Sequence, residues 1–432
     1  MLPSRSPDAP AVITPEGMIA WRDWETRIDE AARALAAQGG AGGVVAFVAR
    51  EPVEAAALIL GALRAGVVAA PLSARLPPAA LADTIATLGA VMLGDGRRAD
   101  PARAPAGAAG VVVHTSGSMG VPRAALLSAE SILAGAATLA DAFALREVDV
   151  WLLDLPLSHV AGVGVVVRCA VAGAALAVPR PGAGTVAAIR EADATHVSLV
   201  GAQLFRALRD EGAPPTALRL ALLGGGPAAP ALLADAVDRG WPVANSYGLT
   251  EMGSTVTATQ PGVLDATAGR PLPGRTVRVS DGRILVGGEP LFDGYLDAGR
   301  AERHLDDDGL FDTGDIGELD DTGRLTVAGR ADSRFVSGGE NVQPEEIEAA
   351  LAELPDVVRA IVVPVPDPEF GHRGVAFVET ATGAPPDAEQ LSGTLSERLP
   401  RFMVPVRFLP WPAGDSGLKP ARRDLARRAS AA

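Results

Sequence analysis

The segment HTSGSMGVPR, at residues 114–123, is a loop of Gly, Ser and Thr that follows an apolar run and ends in a cation. Small residues let the backbone approach phosphate oxygens, hydroxyl groups donate hydrogen bonds, and Arg123 supplies positive charge. The segment lacks the Gly-Lys-Ser/Thr ending of a Walker A loop, and taken alone it is also typical of a flexible turn. Its residue types favour a phosphate-binding loop.

Four later segments carry residues that could act with this loop, and they are NSYGLTEMGS (245–254), DTGD (312–315), SGGENVQPEEIE (337–348) and GLKPAR (417–422). The first places Tyr247 and Glu251 around a Gly turn, and the second is followed by Arg330, fifteen residues after Asp315. The last places Lys419 near the end of the sequence. Each segment alone could be a turn, a hairpin corner or a helix cap, but their joint order and spacing is specific.

Together these segments resemble the adenylate-forming superfamily, which includes acyl- and aryl-CoA ligases, carrier-protein adenylation domains and firefly-type luciferases. The resemblance runs from Glu51 to Arg422. It implies ATP- and Mg²⁺-dependent activation of a carboxylic acid as an acyl-adenylate, followed by transfer to the thiol of coenzyme A. It also implies an α/β fold with a large N-terminal domain of parallel and mixed sheets at 1–331, which includes a β-rich subdomain from about 269. A small mobile α+β lid domain would follow at 332–432, with the active site between the two domains.

The resemblance implies a role for each matching position. The predicted ATP- and AMP-binding residues are Thr115, Ser116, Gly117, Ser118, Gly120, Gly224, Gly225, Gly226, Asn245, Tyr247, Gly248, Asp315 and Arg330. In this assignment the loop holds the β- and γ-phosphates, Tyr247 stacks on the adenine, and Asp315 binds the ribose hydroxyls.

The predicted catalytic residues are Arg123, Thr250, Glu251 and Lys419. Thr250 would contact the α-phosphate, Glu251 would help to bind Mg²⁺, and Lys419 would bridge the substrate carboxylate and the α-phosphate. Positive charge is required because an anionic carboxylate must attack an anionic phosphate. The predicted hinge residue is Asp332, and the predicted CoA-side residues are Gly338, Gly339 and Arg373, of which Arg373 could equally be a surface residue.

Two positions depart from the superfamily's usual pattern. Met119 stands where Thr is usual, which removes one hydroxyl group, and Arg123 stands where Lys is usual, which keeps the charge in a planar, bulkier group. Three functions stay open: an acyl- or aryl-CoA ligase, a free-standing adenylation enzyme that loads a carrier protein or forms an amide, and a nucleotide-binding member without catalysis, which only these two positions suggest. Reversion of Met119 to Thr separates the third, because a large gain in pyrophosphate release would reveal an impaired native loop.

Within the superfamily, the chain resembles the 2-succinylbenzoate–CoA ligase branch of menaquinone synthesis, notably in LPLSHVAGVG (155–164) and THVSLVGAQLFRAL (195–208). An aromatic dicarboxylate leaves one carboxylate that does not react, and an unpaired buried charge would be costly. The candidate partners are His159, Arg206 and Arg168. His159 could instead pack at the start of a helix, and Arg206 could lie on a solvated helix face.

The composition narrows the class of protein further. A formal net charge of −14 argues against nucleic acid as a partner, because phosphate backbones need clustered cations. The single cysteine, Cys169, lies in an apolar run and excludes a disulfide within the chain. The first ten residues lack an apolar core and the apolar runs are too short for a membrane span, so we predict a cytoplasmic protein. The sequence is compatible with a monomer or a homodimer.

Apolar periodicity predicts the elements that position these residues. Short apolar runs such as VVAFVA (44–49) and GVVVH (110–114) alternate with helical patterns, which is typical of parallel sheets covered by helices. After about Gly269, Asp-Gly and Thr-Gly turns join short strands and predict hairpins. From residue 328, two helices and two strands predict an α+β unit of about a hundred residues with a loop-rich tail.

Overall fold

The structure of the protein is a computed structural model of the 432-residue chain. It describes residues 6–40, 43–100, 109–115, 123–210, 212–226, 228–297, 300–412 and 422–431. Within these ranges, no helix is both long enough and apolar enough to cross a bilayer.

The helices within the described ranges are α1 (Trp21–Gly39), α2 (Pro52–Ala65), α3 (Pro78–Leu88), α4 (Ala129–Ala142), α5 (Val160–Ala172), α6 (Thr185–Glu191), α7 (Gly201–Asp210), α8 (Pro230–Asp238), α9 (Pro344–Ala352), α10 (Ala388–Ser396) and α11 (Arg422–Ala431). The strands of the first half are β1 (Pro10–Thr14), β2 (Gly17–Ala20), β3 (Val44–Val48), β4 (Val68–Leu72), β5 (Val91–Met92), β6 (Gly110–Thr115), β7 (Arg123–Ser128), β8 (Val150–Leu152), β9 (Ala175–Ala177), β10 (His196–Val200) and β11 (Leu220–Gly224). The later strands are β12 (Val243–Leu249), β13 (Ser254–Ala258), β14 (Arg270–Pro271), β15 (Arg275–Ser280), β16 (Arg283–Gly288), β17 (Gly294–Asp297), β18 (Arg300–Glu302), β19 (Phe311–Leu319), β20 (Leu325–Arg330), β21 (Phe335–Ser337), β22 (Glu340–Val342), β23 (Val357–Asp367), β24 (Gly371–Thr380) and β25 (Arg407–Pro410).

Two large mixed sheets form the main body of the described chain. Their strand orders are β14-β13-β12-β11-β10-β8-β9-β1-β2 and β18-β17-β7-β6-β4-β3-β5. The central strands pair in parallel, and β3 and β4 are buried on both faces, which explains their continuous apolar sequences. The predicted fold class is confirmed.

Two helices are buried on nearly all sides because they lie between these sheets. In α2 the residues from Ala55 to Ala62 are buried, and in α5 those from Gly162 to Ala170. A helix that is apolar all round is stable only when protein surrounds it. One hydrophobic cluster accordingly joins residues of both sheets to α1, α2, α4 and α5. Cys169, on α5, is 3% exposed, and burial raises the pKa of its thiol to about 12.

The later part of the chain forms two smaller sheets. The first has the strand order β15-β16-β19-β20, and its β15–β16 hairpin turns at Asp281 and Gly282, whose φ angles of 50° and 73° match an Asp-Gly turn. The second has the order β22-β21-β24-β23, with β25 beside β24. The predicted loop-rich tail is wrong at its end, because α11 begins at Arg422 and buries Leu425 and Ala429.

One buried histidine gives a prediction about stability. The His196 ring stacks on Trp151 with centroids 5.1 Å apart, and burial lowers the pKa of its imidazole to about 4, against the opposing charge of Asp149. Between the ordinary value of about 6.5 and the lowered value, the unfolded chain binds a proton that the folded chain does not, so stability falls as pH falls. We expect the free energy of unfolding to fall by up to about 3 kcal/mol over this window.

Urea unfolding of the protein and of His196→Asn at pH 7 and pH 5 measures this contribution. The variant is expected to lose less stability than the native chain over this change. An equal loss in both proteins would contradict the assignment.

Candidate active site

Tyr247 and Asp315 meet although 68 residues separate them in the sequence. Tyr247 lies on β12 and Asp315 on β19, and the Tyr247 hydroxyl donates a hydrogen bond to Asp315 Oδ2 at 2.6 Å. Burial and the negative charge of Asp315 raise the pKa of Tyr247, so the phenol stays protonated as a donor. This hydrogen bond fixes the half-buried ring of Tyr247. The Asp315 carboxylate also has acceptor positions for further donors.

Arg330 joins this pair to the predicted hinge. The β19–β20 pairing sets Arg330 opposite Asp315, and its Nη1 donates to Asp315 Oδ1 at 3.2 Å. Its Nε and Nη2 donate to the two carboxylate oxygens of Asp332, each at 3.1 Å. Gly314 has φ 79°, and a Cβ there would lie 2.7 Å from Arg330 Nη2, so the turn depends on glycine. One guanidinium thus connects a predicted nucleotide residue with the predicted hinge residue.

Glu251 lies in a single 3-10 turn, Thr250–Met252, directly after β12. Its side-chain Oε1 accepts a hydrogen bond from the Tyr295 hydroxyl, and its backbone oxygen accepts one from the Phe292 amide at 2.8 Å. Arg123 lies on the same tyrosine, with its Cζ 3.3 Å from the ring centroid. The Glu251 carboxylate and the Arg123 guanidinium therefore both contact Tyr295, the first through its hydroxyl and the second through its ring.

Five further residues that were predicted to bind ATP or AMP lie at or just after the point where the parallel pairing of β11 and β12 ends, at Leu223 opposite Asn245. They are Gly224, Gly225, Gly226, Asn245 and Gly248. Gly225 has φ 84°, and a Cβ there would approach Val200 Cγ1 to 3.0 Å. The Asn245 side chain donates to the backbone oxygen of Thr267 at 2.7 Å, which fixes the amide beside the strand end. Open α/β sheets bind ligands in crevices at such strand ends.

Two parts of the predicted site lie outside the described residues, and they comprise Ser116, Gly117, Ser118, Met119, Gly120 and Lys419. The residues next to them are described. Thr115, which ends β6, pairs with Arg123 at the start of β7, so the residues at the two ends of the predicted phosphate loop are neighbours, and Arg123 lies on the Tyr295 ring. Arg422 follows Lys419 by three residues and pairs with Glu345 at 2.9 Å and Glu348 at 2.5 Å.

Arg168 is a fully enclosed cation near the Glu251 turn. It is 2% exposed on α5, its Cζ lies 4.8 Å from the Trp151 ring, and its Nη2 donates to Ser254 Oγ at 3.3 Å. Gly164 makes room for the guanidinium, because a Cβ there would lie 2.6 Å from Nη2. Burial lowers the pKa of Arg168 to about 10, and Nη1 has no hydrogen-bond partner among the described residues. A buried guanidinium with an unused donor is suited to an anionic ligand.

The other two residues that were predicted to bind the acid substrate, His159 and Arg206, do not lie with Arg168. His159 directly precedes α5, and desolvation together with the positive charge of Arg75 lowers the pKa of its imidazole. The Arg206 side chain is 48% exposed and pairs with Glu379 of β24 at 3.1 Å. Arg206 therefore connects α7 to the C-terminal sheet, and the structure places it with neither Arg168 nor Glu251.

The predicted CoA-side residues lie at one corner of the C-terminal sheet. Gly338 and Gly339 turn between β21 and β22 with φ angles of 60° and 88°. A Cβ at Gly338 would lie 2.8 Å from Phe370 Cδ1, and Arg373 stacks on the same ring with its Cζ at 4.8 Å. The structure thus brings Arg373 close to the paired glycines.

Tyr295 contacts two of the predicted catalytic residues, Glu251 and Arg123, but was not itself among the predicted site residues. A compositional signal could have found it, because the chain has only two tyrosines and each lies next to a glycine, in SYG and GYL. Both tyrosines donate to a predicted site carboxylate in the structure.

Comparison with known proteins identifies the family of this chain. The model of the AMP-binding enzyme family matches residues 3–105 and 94–296, and the model of the AMP-binding enzyme C-terminal domain matches 346–413. The 2-succinylbenzoate–CoA ligase of Salmonella typhimurium is 40% identical over 315 residues, 72% of this chain and 67% of that protein. The Escherichia coli enzyme of the same name is 34% identical over 427 residues, 94% of this chain and 92% of that protein.

Solved structures agree with this result. An arginine-to-lysine variant of Escherichia coli MenE with bound OSB-AMS has a TM-score of 0.85 and 31% identity, covering 98% of this chain and 96% of that one. The predicted superfamily is confirmed, together with the predicted class of enzyme. The chain belongs to the AMP-binding enzyme family, as an acid–thiol ligase of the adenylate-forming class.

Proposed function

We propose that the protein converts 2-succinylbenzoate, ATP and coenzyme A into 2-succinylbenzoyl-CoA, AMP and pyrophosphate, as a step of menaquinone synthesis. The observation that carries the proposal is the buried guanidinium of Arg168 near the Glu251 turn, since a dicarboxylate needs a cation for the carboxylate that does not react. The ligases of the same name at 40% and 34% identity support this choice of acid. We also propose a cytoplasmic location, which the lone buried Cys169 suits.

The nucleoside of ATP would bind at the Tyr247–Asp315 pair. The Tyr247 ring, fixed by its hydroxyl, offers a flat face to the adenine. Asp315 would accept hydrogen bonds from the ribose hydroxyls, and Arg330 holds its carboxylate in position. The glycines at the end of β11 would let the base approach the backbone.

The phosphates would extend toward Arg123 and Glu251. Mg²⁺, when bound, would neutralise phosphate charge and suits one carboxylate plus phosphate oxygens. The described residues fit this requirement: Glu251 supplies a carboxylate, and they contain no cluster of three or more His, Cys, Asp or Glu that could hold an ion alone. Arg123 would neutralise charge on the departing pyrophosphate.

In the first half-reaction, a carboxylate oxygen of the acid attacks the α-phosphorus, and the bond from that phosphorus to the bridging oxygen of pyrophosphate breaks. Thr250 and Lys419 would stabilise the added negative charge on the α-phosphate. In the second half-reaction, the thiolate of coenzyme A attacks the acyl carbon and AMP leaves. The turn at Gly338 and Gly339 would border the thiol's path, and Asp332 would be the hinge between a domain at 1–331 and a lid domain at 332–432.

Replacement of Arg168 tests the assignment of the acid. We expect Arg168→Met to lower kcat/KM for 2-succinylbenzoate by about 10²-fold, because a charge-assisted hydrogen bond is lost and a buried carboxylate is left unpaired. The value for benzoate should change less than threefold, since benzoate lacks the second carboxylate. The measurement is pyrophosphate release with each acid at saturating ATP and Mg²⁺.

A thermal unfolding scan is the control for Arg168→Met, because the side chain also stacks on Trp151. Replacement of a buried charge by an apolar residue of similar volume is often neutral for stability. Equal losses with both acids in a folded variant would show that Arg168 is structural and would remove it from the acid site.

A panel of acids tests the proposed function itself. Pyrophosphate release is measured with 2-succinylbenzoate, benzoate, malonate and acetate, each with coenzyme A, with phosphopantetheine or with an amine as acceptor. The proposal predicts the highest kcat/KM for 2-succinylbenzoate and thioester formation only with coenzyme A. A preference for another acid or acceptor would replace the substrate assignment, and the absence of turnover with every acid would favour a nucleotide-binding protein without catalysis.

A further inference from the structure

Tyr295 is held in place by two neighbouring strands of the sheet. It lies on β17, which pairs antiparallel with β7 so that Tyr295 is opposite Ala125. The preceding residue, Gly294, has φ 142°, and a Cβ there would lie 2.6 Å from the carbonyl carbon of Glu302. Only glycine permits this approach of β18, so the backbone position of Tyr295 is fixed on both sides.

The ring of Tyr295 supports Arg123. The guanidinium Cζ lies 3.3 Å from the ring centroid, which is the distance of a stacked cation–π contact. Arg123 is otherwise exposed at the start of β7, where the ring limits its freedom. A planar guanidinium stacks on an aromatic face in a way that a lysine ammonium does not, so the ring matches the arginine found here.

The hydroxyl of Tyr295 supports Glu251. It donates to Glu251 Oε1, while the backbone amide of Phe292 donates to the backbone oxygen of Glu251 at 2.8 Å. The Phe292 ring meets the Tyr295 ring edge to face, with centroids 4.9 Å apart. The short segment from 292 to 295 therefore holds both the backbone and the side chain of Glu251.

The acceptor of the Tyr295 hydroxyl is a carboxylate. A hydrogen bond to a charged acceptor is a stronger contact than one between neutral groups. A carboxylate has about four acceptor positions, so one donor leaves capacity for a cation.

We propose that Tyr295 is a positioning residue that aligns the Glu251 carboxylate with its hydroxyl and the Arg123 guanidinium with its ring. Tyr295 would act at the phosphate end of ATP, where Glu251 would hold the metal and Arg123 would neutralise phosphate charge. The inference rests on the proposed function in one respect, namely that MgATP binds here. Tyr295 makes no contact with the acid or the thiol in this account, so its effect is confined to nucleotide binding and adenylation.

Three variants separate the two contacts. Tyr295→Phe removes the hydroxyl and keeps the ring, Tyr295→Leu removes both, and Arg123→Lys removes the planar partner of the ring. We expect Tyr295→Phe to raise the Mg²⁺ concentration for half-maximal pyrophosphate release about tenfold, with the KM for the acid unchanged. Tyr295→Leu should raise the KM for ATP further, and that additional rise should disappear in the Arg123→Lys background.

Binding of MgATP without acid, measured by titration calorimetry at two Mg²⁺ concentrations, gives a readout that does not depend on turnover. Arg180→Lys is the matched control, since Arg180 pairs with Glu191 away from the site. If the wild-type protein binds no MgATP, the proposed function fails. If it binds MgATP but Tyr295→Phe has the same Mg²⁺ dependence, the positioning role is overturned. Should Tyr295→Leu not fold, the Tyr295→Phe comparison still decides.

Discussion

Lys419→Ala is expected to slow acyl-adenylate formation by about 10³-fold or more, on the order of 4 kcal/mol of transition-state stabilisation. The reason is electrostatic, because a carboxylate and a triphosphate repel each other and the transition state carries added charge on the α-phosphate. Composition supports this role, since Lys419 is the only lysine among 38 lysine and arginine residues. Every other residue of this group is an arginine, so Lys419 carries the one side-chain ammonium of the chain.

Half-reaction kinetics check this prediction. Pyrophosphate release in a single turnover should show the full loss, whereas thioester formation from supplied acyl-adenylate and coenzyme A should fall less than tenfold. Lys419→Arg is the matched control for charge, and it should recover part of the rate because the guanidinium is bulkier than the ammonium. An adenylation rate within tenfold of wild type for Lys419→Ala would contradict the assigned role.

The single lysine also permits a chemical test on the unaltered protein. An amine-reactive reagent can modify only Lys419 among the side chains, in addition to the terminal amine. We expect loss of adenylation in proportion to Lys419 modification, and protection by ATP together with the acid. Full activity after complete modification of this lysine would contradict the same assignment.

Asp315→Ala is expected to raise the KM for ATP by about 10²-fold, since hydrogen bonds from the ribose hydroxyls to a charged acceptor contribute about 1.5–3 kcal/mol each. The loss also frees the hydroxyl of Tyr247 and weakens the hold on Arg330. Steady-state pyrophosphate release over a range of ATP concentrations measures the change. The KM for coenzyme A should stay within a factor of about three.

Asp312→Ala is the matched control for Asp315→Ala. Asp312 lies in the same DTGD segment, but it is exposed and pairs with Arg283 at 2.9 Å on the surface. Exposed ion pairs contribute little, so the KM for ATP should stay within about threefold. A similar rise in both variants would show that the turn, and not the Asp315 carboxylate, determines nucleotide affinity.

The residues proposed to bind the nucleoside could be found in the sequence because they lie in compact motifs. Tyr247, Asp315 and Arg330 come from separate segments, and the structure joins them by the hydrogen bonds of one strand end and one hairpin. The Asp281-Gly282 turn was predictable for a local reason, since both positions require positive φ. Motifs and turns depend on neighbouring residues, which a sequence displays directly.

Tyr295 and α11 were not predicted because long-range packing creates them. Tyr295 gains its role only when β17 pairs with β7, more than 160 residues earlier in the chain. The α11 sequence is rich in arginine and buries few residues. Leu425 anchors it to the C-terminal sheet, and the pairs of Arg422 with Glu345 and Glu348 anchor it to α9. The ion pair of Arg206 was not predicted for the same reason, because its partner Glu379 lies on a strand that is distant in the sequence.

The most direct test of the central claim is mass spectrometry of the purified protein incubated with ATP, Mg²⁺ and 2-succinylbenzoate, with and without coenzyme A. The account predicts 2-succinylbenzoyl-adenylate in the absence of coenzyme A and 2-succinylbenzoyl-CoA with AMP in its presence. Adenylates of other acids without that of 2-succinylbenzoate would contradict the substrate assignment. Bound ATP that forms no adenylate with any acid would contradict the catalytic account as a whole.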